Sequence, residues 1–246
     1  MEDKKMANKA YVKNVYDCAF AQPARHINAH AWCMGNPAMM GTDSYAFFSI
    51  CEISYGGCAI EDNHKDADHC YFILEGAGYS IINGKRYEYK KGDVMWIPGN
   101  SNHEMYPKGI EGLRFVVTLT GKDFNQTEPF VRAVTSVPTA VPPKHNNAIA
   151  WPVVTPKNGG SNTIEFHVTE LFPSGNAEED IHEDADHMYY FIEGTGYSIV
   201  EGERLEYGPG DAMFIPKGAK HSMFNTGEGT LRMVASFGPS RKIMRP

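Results

Sequence analysis

The sequence has no Cys-x-x-Cys pair, and its five cysteines all lie in the first half of the chain. The missing pair excludes the commonest ligand pattern of structural zinc sites. An odd set of cysteines that the second half does not share is also unlike a disulfide framework. The sequence therefore predicts free thiols and a reducing, cytoplasmic location.

Long apolar runs and an excess of basic residues are absent as well. No apolar run approaches the roughly 18–20 residues that span a bilayer, and the first residues lack the apolar core of a secretory signal. The formal net charge of −7 argues against nucleic acid, which requires a basic surface. We expect a small-molecule substrate, and neither nucleic acid nor a membrane as a partner.

One short segment occurs twice and organises the chain. Residues His64–His69 lead directly into the β-rich segment Tyr71–Gly76, and the same pattern returns 118 positions later. Each copy combines two histidines with several carboxylates ahead of a strand, which is a compact set of metal ligands. The repeat predicts two domains of about 120 residues, near the usual domain size.

The pattern of apolar residues predicts an all-β chain. Neither half shows a sustained period of 3.6 residues, and short β-rich segments end at turn signals such as Asn83-Gly84. Short strands with a turn every 8–12 residues or so are typical of a sandwich or a small barrel. We predict four segments, which are an N-terminal arm over 1–43, a first domain over 44–120, a linker over 121–150 and a second domain over 151–246.

A second motif indicates the family. It is complete in the second half, where its residues are Gly210, Pro216, Gly218, His221 and Asn225. The first half keeps the first glycine, the proline and the histidine at the same spacing, but has Asn100 and Pro107 in place of the other two. The chain therefore resembles a bicupin, with two tandem jelly-roll β-barrels, over about residues 44–120 and 162–238.

The resemblance also implies the metal ligands, in an altered order. The usual first cupin motif reads His-x-His-x3,4-Glu. Counted back from Gly76, a histidine stands here where the family has its glutamate, and a carboxylate stands in the first histidine position. The implied ligands are one carboxylate and three histidines in each half, namely Asp62, His64, His69 and His103, and Asp180, His182, His187 and His221. Glu61 and Glu179 are the alternative carboxylates.

This order is similar to that of (S)-ureidoglycine aminohydrolase, a bicupin whose motif reads Glu-x-His-x3-His. The present chain has four residues between the histidines and keeps His221 where that enzyme has glutamine. The resemblance implies a metal-dependent hydrolase that cleaves a small polar carbonyl compound, at a C–N bond of a ureido compound or a C–C bond of a cyclic 1,3-dicarbonyl. It also implies that the second cupin is the catalytic one.

The ligand types narrow the choice of metal and leave other functions open. Imidazoles with a carboxylate suit a divalent first-row metal, and the lack of a thiolate favours Mn(II), or Fe(II), over structural zinc. Zn(II) and Ni(II) stay open. The alternative functions are an Fe- or Mn-dependent dioxygenase, oxidase or decarboxylase, and a non-catalytic small-molecule-binding protein.

Several further residues have predicted roles. Tyr71, Tyr189, Arg114 and Arg232 are expected to face the barrel interiors, the tyrosines to move a proton and the arginines to clamp a carboxylate or enolate. Two acidic residues are expected in the adjoining loops, where they would orient an imidazole, namely Asp68 and Asp186. The loosely spaced His26, His30 and Cys33 are expected to be solvated or to serve packing. We also expect a homodimer or higher oligomer, in which the arm covers a neighbour's sheet edge.

Overall fold

The computed structural model describes residues 8–121 and 127–245. Strands dominate these residues, as the sequence predicts. The strands of the first part of the chain are β1 (Tyr11–Asn14), β2 (Phe20–Ala21), β3 (His26–Gly35), β4 (Tyr45–Asn63), β5 (Ala67–Ile82), β6 (Lys85–Lys90), β7 (Asp93–Ile97), β8 (Asn102–Gly121) and β9 (Phe130–Ala133). Those of the second part are β10 (His145–Val154), β11 (Glu165–Ile181), β12 (Asp186–Glu193), β13 (Gly196–Val200), β14 (Glu203–Tyr207), β15 (Asp211–Ile215), β16 (Lys220–Asn225) and β17 (Leu231–Gly238).

Helical structure in the described residues is limited to short turns. They are an α-helix, α1 (Pro37–Met40), and four 3-10 helices at Val15–Asp17, Val134–Ser136, Pro156–Asn158 and Lys242–Met244. Among these residues, no helix has the length and apolarity to cross a membrane. The all-β prediction is confirmed, and β4, β11 and their partners curl into two tandem barrels.

Each barrel is built on one mainly antiparallel sheet. The first sheet has the order β2-β3-β4-β8-β5-β7-β9, with β6 paired to β5, and the second has the order β1-β15-β12-β17-β11-β16-β13-β14, with β10 paired to β11. The predicted hairpin turn joins β5 to β6, where Asn83 and Gly84 have φ values of 50° and 79°. Two successive positive φ values are what this tight turn requires, and asparagine and glycine tolerate them best.

The apolar residues form three cores rather than two. The interior of the first barrel includes Ile53, Ile73 and Phe115, and that of the second includes Leu171, Phe191 and Met233. A third core lies between the barrels and includes Phe48, Ile50, Trp96, Phe166 and Phe214. Strands such as β4 and β11 are buried on both faces, which explains why they read as nearly continuous apolar runs instead of strict alternation.

The two barrels exchange strands. β1 pairs with β15 of the second barrel, and β9 pairs with β7 of the first. Strands β3 and β10 pair with β4 and β11 respectively, one in each barrel. The described parts of the predicted arm (1–43) and linker (121–150) therefore carry sheet strands that the sequence prediction left outside the barrels.

A pair of buried aspartates fastens the two barrels together. Asp186 accepts hydrogen bonds from the Oγ atoms of Thr42 and Ser44 at 2.8 and 2.5 Å, and from the backbone N of Lys217 at 2.7 Å. Thr42 and Ser44 lie between β3 and β4 of the first barrel and Asp186 belongs to the second, so these bonds cross the interface.

Asp68 of the first barrel makes the equivalent bonds to residues of the second barrel. It accepts from Ser161 Oγ at 2.7 Å, from Thr163 Oγ1 at 2.8 Å and from the backbone N of Gly99 at 2.7 Å. The sequence predicts Asp68 and Asp186 in loops, but β5 and β12 begin early enough to include both. They are buried inside strands, where they bind hydroxyl groups of the other barrel.

A homodimer or higher oligomer, in which the arm covers a neighbour's sheet edge, stays a prediction. β1 covers a sheet edge of its own chain. One sheet edge among the described residues is β2, where Phe20 is 61% exposed and lies against His30 and Trp32. An apolar sheet edge is typically covered by a partner.

Light scattering should give a mass above that of the 27.4 kDa chain, and a mass of 27.4 kDa would contradict the prediction.

Candidate metal centres

Three histidines meet in each barrel. The first set is His64, His69 and His103, and the second is His182, His187 and His221. Within each set, the nitrogen atoms that could bind a metal ion all lie within 4.8 Å of one another. β4 pairs antiparallel with β8, which places His103 opposite Asp62, two residues before His64. In the same way, β11 pairs with β16 and places His221 opposite Asp180. Every histidine predicted as a ligand is therefore in place.

Backbone carbonyl groups orient one histidine of each set. His103 donates from Nδ1 to the carbonyl of Ser101 at 2.9 Å, and His221 donates from Nδ1 to the carbonyl of Ala219 at 2.9 Å. A carbonyl only accepts, so Nδ1 carries the proton in both rings. The Nε2 lone pair is then free to bind a metal, which is the usual arrangement around a ligating histidine.

Tyrosines orient a second histidine of each set. His69 Nδ1 lies 2.9 Å from Tyr71 Oη, and His187 Nδ1 lies 3.1 Å from Tyr189 Oη. Burial raises the pKa of both phenols, so the hydroxyls stay protonated and neutral. The sequence predicts these tyrosines as proton carriers. Their contacts instead fit residues that position a ligand, although Tyr71 also lines the cavity of the first barrel.

One buried nitrogen indicates that a metal fits the site. In the part of the chain that the structure describes, His69 Nε2 is buried and has no hydrogen-bond partner. A buried polar atom without a partner costs free energy, so such atoms are rare unless a ligand satisfies them. This nitrogen belongs to the three-histidine set of the first barrel. A divalent cation at the centre of that set would satisfy it.

The protonation state of the histidines also suits metal binding. Burial lowers the pKa of His69, His103, His187 and His221, and lowers that of His182 to about 4. Neighbouring histidines lower the pKa further in both sets, because two positive charges would repel each other. These imidazoles are neutral near pH 7, which is the form that binds a metal.

These pKa shifts predict that the metal-free protein loses stability in mild acid. Folding holds the histidine pKa values below the unfolded value of 6.5, so the unfolded chain takes up protons first as the pH falls. The free energy of unfolding should therefore be highest above that value, and each titrating group should reduce it by about 1.4 kcal/mol per pH unit. For His182 the loss should end near its folded pKa of about 4.

Urea unfolding of chelator-treated protein across this range measures the effect. A His182→Gln variant is the control, since it removes one titrating group and should give a shallower dependence. A free energy of unfolding that stays constant as the pH falls would contradict the prediction.

The predicted carboxylates lie beside the histidine sets but outside them. Asp62 Oδ2 is 3.3 Å from His64 Nε2, and Asp180 Oδ2 is 3.3 Å from His182 Nε2. A basic residue holds the other oxygen of each carboxylate. Lys144 Nζ is 2.8 Å from Asp180 Oδ1, and its counterpart Arg25 approaches Asp62 Oδ1 at 3.8 Å.

The alternative carboxylates point away from the sites. Glu61 is exposed, and Glu179 forms an ion pair with Lys220 on the surface at 2.9 Å. Strand alternation explains this, because adjacent residues lie on opposite faces. Of each adjacent pair, only Asp62 and Asp180 lie next to a ligand histidine.

The sequence predicts that Arg114 and Arg232 face the barrel interiors, but neither does. Leu113 and Phe115, the neighbours of Arg114, belong to the core of the first barrel, so alternation directs the arginine outward. Arg114 pairs with Glu52 on the adjacent strand at 3.2 Å, and Arg232 pairs with its own strand neighbour, Glu170, at 3.6 Å. Both arginines line a cleft outside the barrel interiors.

The first barrel encloses a mainly apolar cavity of about 290 Å³ next to its histidines. Its lining includes Phe47, Met95 and Leu119, and it also includes His26 from β3. The sequence predicts that His26 is solvated or serves packing. The pair Arg25-His26 recurs in the second half as Lys144-His145. This repeat could have indicated that His26 has a defined position in the first barrel.

The second barrel has a buried ionic cluster that the sequence analysis did not find. Glu165 is fully buried and lies 2.8 Å from Arg241 Nη2 and 3.3 Å from His167 Nε2. The guanidinium group of Arg241 stacks on Phe237 at 4.2 Å, and this ring lies 4.6 Å from the ring of His187. The positions equivalent to Glu165 and Phe237 in the first barrel are Phe47 and Leu119, which are apolar.

Curated proteins match this chain over short stretches. TcmJ, a tetracenomycin polyketide synthase protein of Streptomyces glaucescens, is 29% identical over 87 residues, which are 35% of this chain and 58% of that protein. An uncharacterized protein of Aquifex aeolicus is 39% identical over 80 residues, 32% of this chain and 60% of that protein. The matched segments thus span about three fifths of these two relatives.

Solved structures match almost the whole chain. A putative glyoxylate-induced protein from Pseudomonas aeruginosa has a TM-score of 0.80 at 16% identity, covering 96% of this chain and 91% of that one. A variant of Bacillus subtilis oxalate decarboxylase has a TM-score of 0.74 at 14% identity, covering 94% and 78%. At such low identity, the likeness shows a shared fold.

A sequence profile for the cupin domain matches both halves, at residues 49–119 and 167–237. The matched residues include all six histidines and make up more than half of the chain. The profile agrees with the two barrels, and the chain belongs to the cupin domain family, with one cupin domain in each half.

Proposed function

We propose that the protein is a divalent-metal-dependent enzyme that acts on a small polar carbonyl compound. The observation that carries the proposal is the doubled set of three converging histidines. In each set, one histidine is fixed through Nδ1 by a backbone carbonyl and another contacts a buried tyrosine through Nδ1. Both barrels thus keep the three histidines together with the contacts that orient two of them.

The residues have distinct tasks in this proposal. The three histidines of each barrel would hold the ion, with Mn(II) favoured and Fe(II), Zn(II) or Ni(II) as alternatives. When bound, the metal would polarise a carbonyl group and lower the pKa of a bound water. Tyr71 and Tyr189 keep their histidines in a fixed orientation. Asp62 and Asp180, each next to a ligand histidine, are in reach to complete the ligand set or to accept a proton.

A hydrolase that cleaves a C–N bond of a ureido compound, or a C–C bond of a cyclic 1,3-dicarbonyl, is the first candidate. The order of carboxylate and histidines along the chain supports it, through the similarity to (S)-ureidoglycine aminohydrolase. A decarboxylase is the second candidate. The fold shared with oxalate decarboxylase and the presence of Arg241 near the second histidine set support this alternative.

A metabolite screen with metal-loaded protein tests the proposal. Manganese- or iron-loaded protein is incubated with a mixture of small carbonyl compounds, and mass spectrometry records which compounds disappear while an electrode records oxygen. We expect turnover without oxygen uptake, and we expect no turnover in a His182→Ala control. Oxygen uptake linked to turnover would favour an oxidase or dioxygenase. Tight binding of a compound without turnover would indicate a binding protein instead.

A further inference from the structure

We propose that Arg241 binds a carboxylate group of the substrate in the second barrel, so that this barrel selects a small anionic carboxylate. This inference rests on the proposed function and specifies its substrate class. The residues that carry it are Arg241, Glu165 and Phe237, which lie in the second barrel beside its three histidines.

Contacts with Glu165 hold the guanidinium group in place. Its Nε lies 3.2 and 3.3 Å from the two carboxylate oxygens, and Nη2 lies 2.8 Å from one of them. The backbone N of Arg241 donates to the same carboxylate at 2.5 Å. Because Glu165 is fully buried and its carboxylate pKa is lowered to about 2 despite burial, chiefly by His167 and Arg241, it stays ionised. The arginine is therefore fixed by a permanent negative charge.

The guanidinium group retains donors for a further anion. An arginine has five N–H donors, and Nε together with one N–H of Nη2 accounts for the bonds to Glu165. Within the described part of the chain, both N–H groups of Nη1 and the second one of Nη2 remain available as donors. The side chain is 21% exposed, so the group is not sealed within the protein. Planar groups of N–H donors of this kind recognise carboxylates well.

Arg241 also lies close to the second histidine set. Its guanidinium group stacks on Phe237, whose ring is 4.6 Å from His187 and 5.8 Å from His182. A small chelating anion bound at the histidine set would thus have a cation beside it.

The first barrel provides an internal comparison. It has the same three histidines, yet Phe47 and Leu119 replace Glu165 and Phe237, and the described lining of its cavity has neither arginine nor lysine. Histidine ligands do not neutralise a divalent ion, so the metal alone would attract anions to either barrel. The first barrel has Arg25 beside Asp62, but this side chain is 53% exposed, whereas Arg241 of the second barrel is held by a fully buried carboxylate.

Calorimetry with oxalate and imidazole tests the proposal. Both probes bind open metal positions, but oxalate is a dianion and imidazole is neutral. All proteins carry His64→Ala and His103→Ala, so that manganese occupies only the second barrel. The test variants are Arg241→Met and the pair Arg241→Met with Glu165→Gln, which leaves no buried unpaired carboxylate. Lys242→Met is the matched control, because it removes the adjacent, exposed positive charge.

Both Arg241 variants should bind oxalate about ten- to a hundredfold more weakly, the range expected for losing hydrogen bonds to a charged group. Their imidazole affinity, and both affinities of the control, should be unchanged. Oxalate binding that resists both Arg241 variants would overturn the proposal, as would an equal loss of oxalate and imidazole binding. Failure of the proposed function would be seen separately, as parent protein that retains no manganese.

Discussion

Substitution of a second-barrel ligand, by His182→Ala or His221→Ala, should abolish turnover. First-barrel substitutions, His64→Ala or His103→Ala, should leave a measurable fraction. Losing even a residue that orients a ligand typically costs about 10–100-fold in metal affinity or activity, and losing the ligand itself should cost at least as much. The second barrel is assigned the reaction because it has the complete second cupin motif and the ionic cluster around Arg241.

The four variants form matched pairs at equivalent positions, so each first-barrel variant is the control for its second-barrel counterpart. Metal content and rate are measured for each one once a substrate is found. Inactive first-barrel variants with active second-barrel variants would reverse the assignment. If all four are folded and inactive, the barrels are coupled and neither is merely structural.

The substitution Asp186→Ala, which removes an aspartate that joins the barrels, should strongly lower the free energy of unfolding. Asp186→Ala leaves Thr42 Oγ1, Ser44 Oγ and the backbone N of Lys217 without their shared acceptor at a buried interface. Hydrogen bonds to a charged group contribute about 1.5–3 kcal/mol each and are not additive, so we expect a total loss of about 3 kcal/mol. Asp68→Ala should have a similar effect from the opposite side.

Urea unfolding measures this loss, and Asp66→Ala is its control. Asp66 is exposed and lies two residues before Asp68, so its substitution should change the free energy of unfolding by no more than about 0.5 kcal/mol. If Asp186→Ala is no more destabilising than this control, the aspartate does not hold the barrels together.

The sequence predicted the strands and the histidines well, because both depend on local patterns. Alternation and turn residues mark each strand, and the six histidines recur at a fixed spacing of 118 residues. The strand exchange was harder to predict. β1 and β9, with sequences Tyr-Val-Lys-Asn and Phe-Val-Arg-Ala, correspond at a spacing of 119 residues, so a search at the ligand spacing misses them.

The remaining errors concern contacts between distant parts of the chain. Arg241 reaches Glu165 across 76 residues, and no local pattern announces such a pair. Asp186 next to a ligand histidine suggests that it orients the imidazole, but its partners Thr42 and Ser44 belong to the other half of the chain. In each case the decisive partner is supplied by the packing of one segment against another.

The metal content of the purified protein is the decisive measurement, because the proposed enzyme has two metal centres. Protein produced with added manganese and iron is purified, and its metal is measured by elemental analysis alongside variants that lack one histidine set. We expect two divalent ions per chain, with one lost when His64 and His103 become alanine and the other lost when His182 and His221 do. Wild-type protein with no metal above background would contradict it.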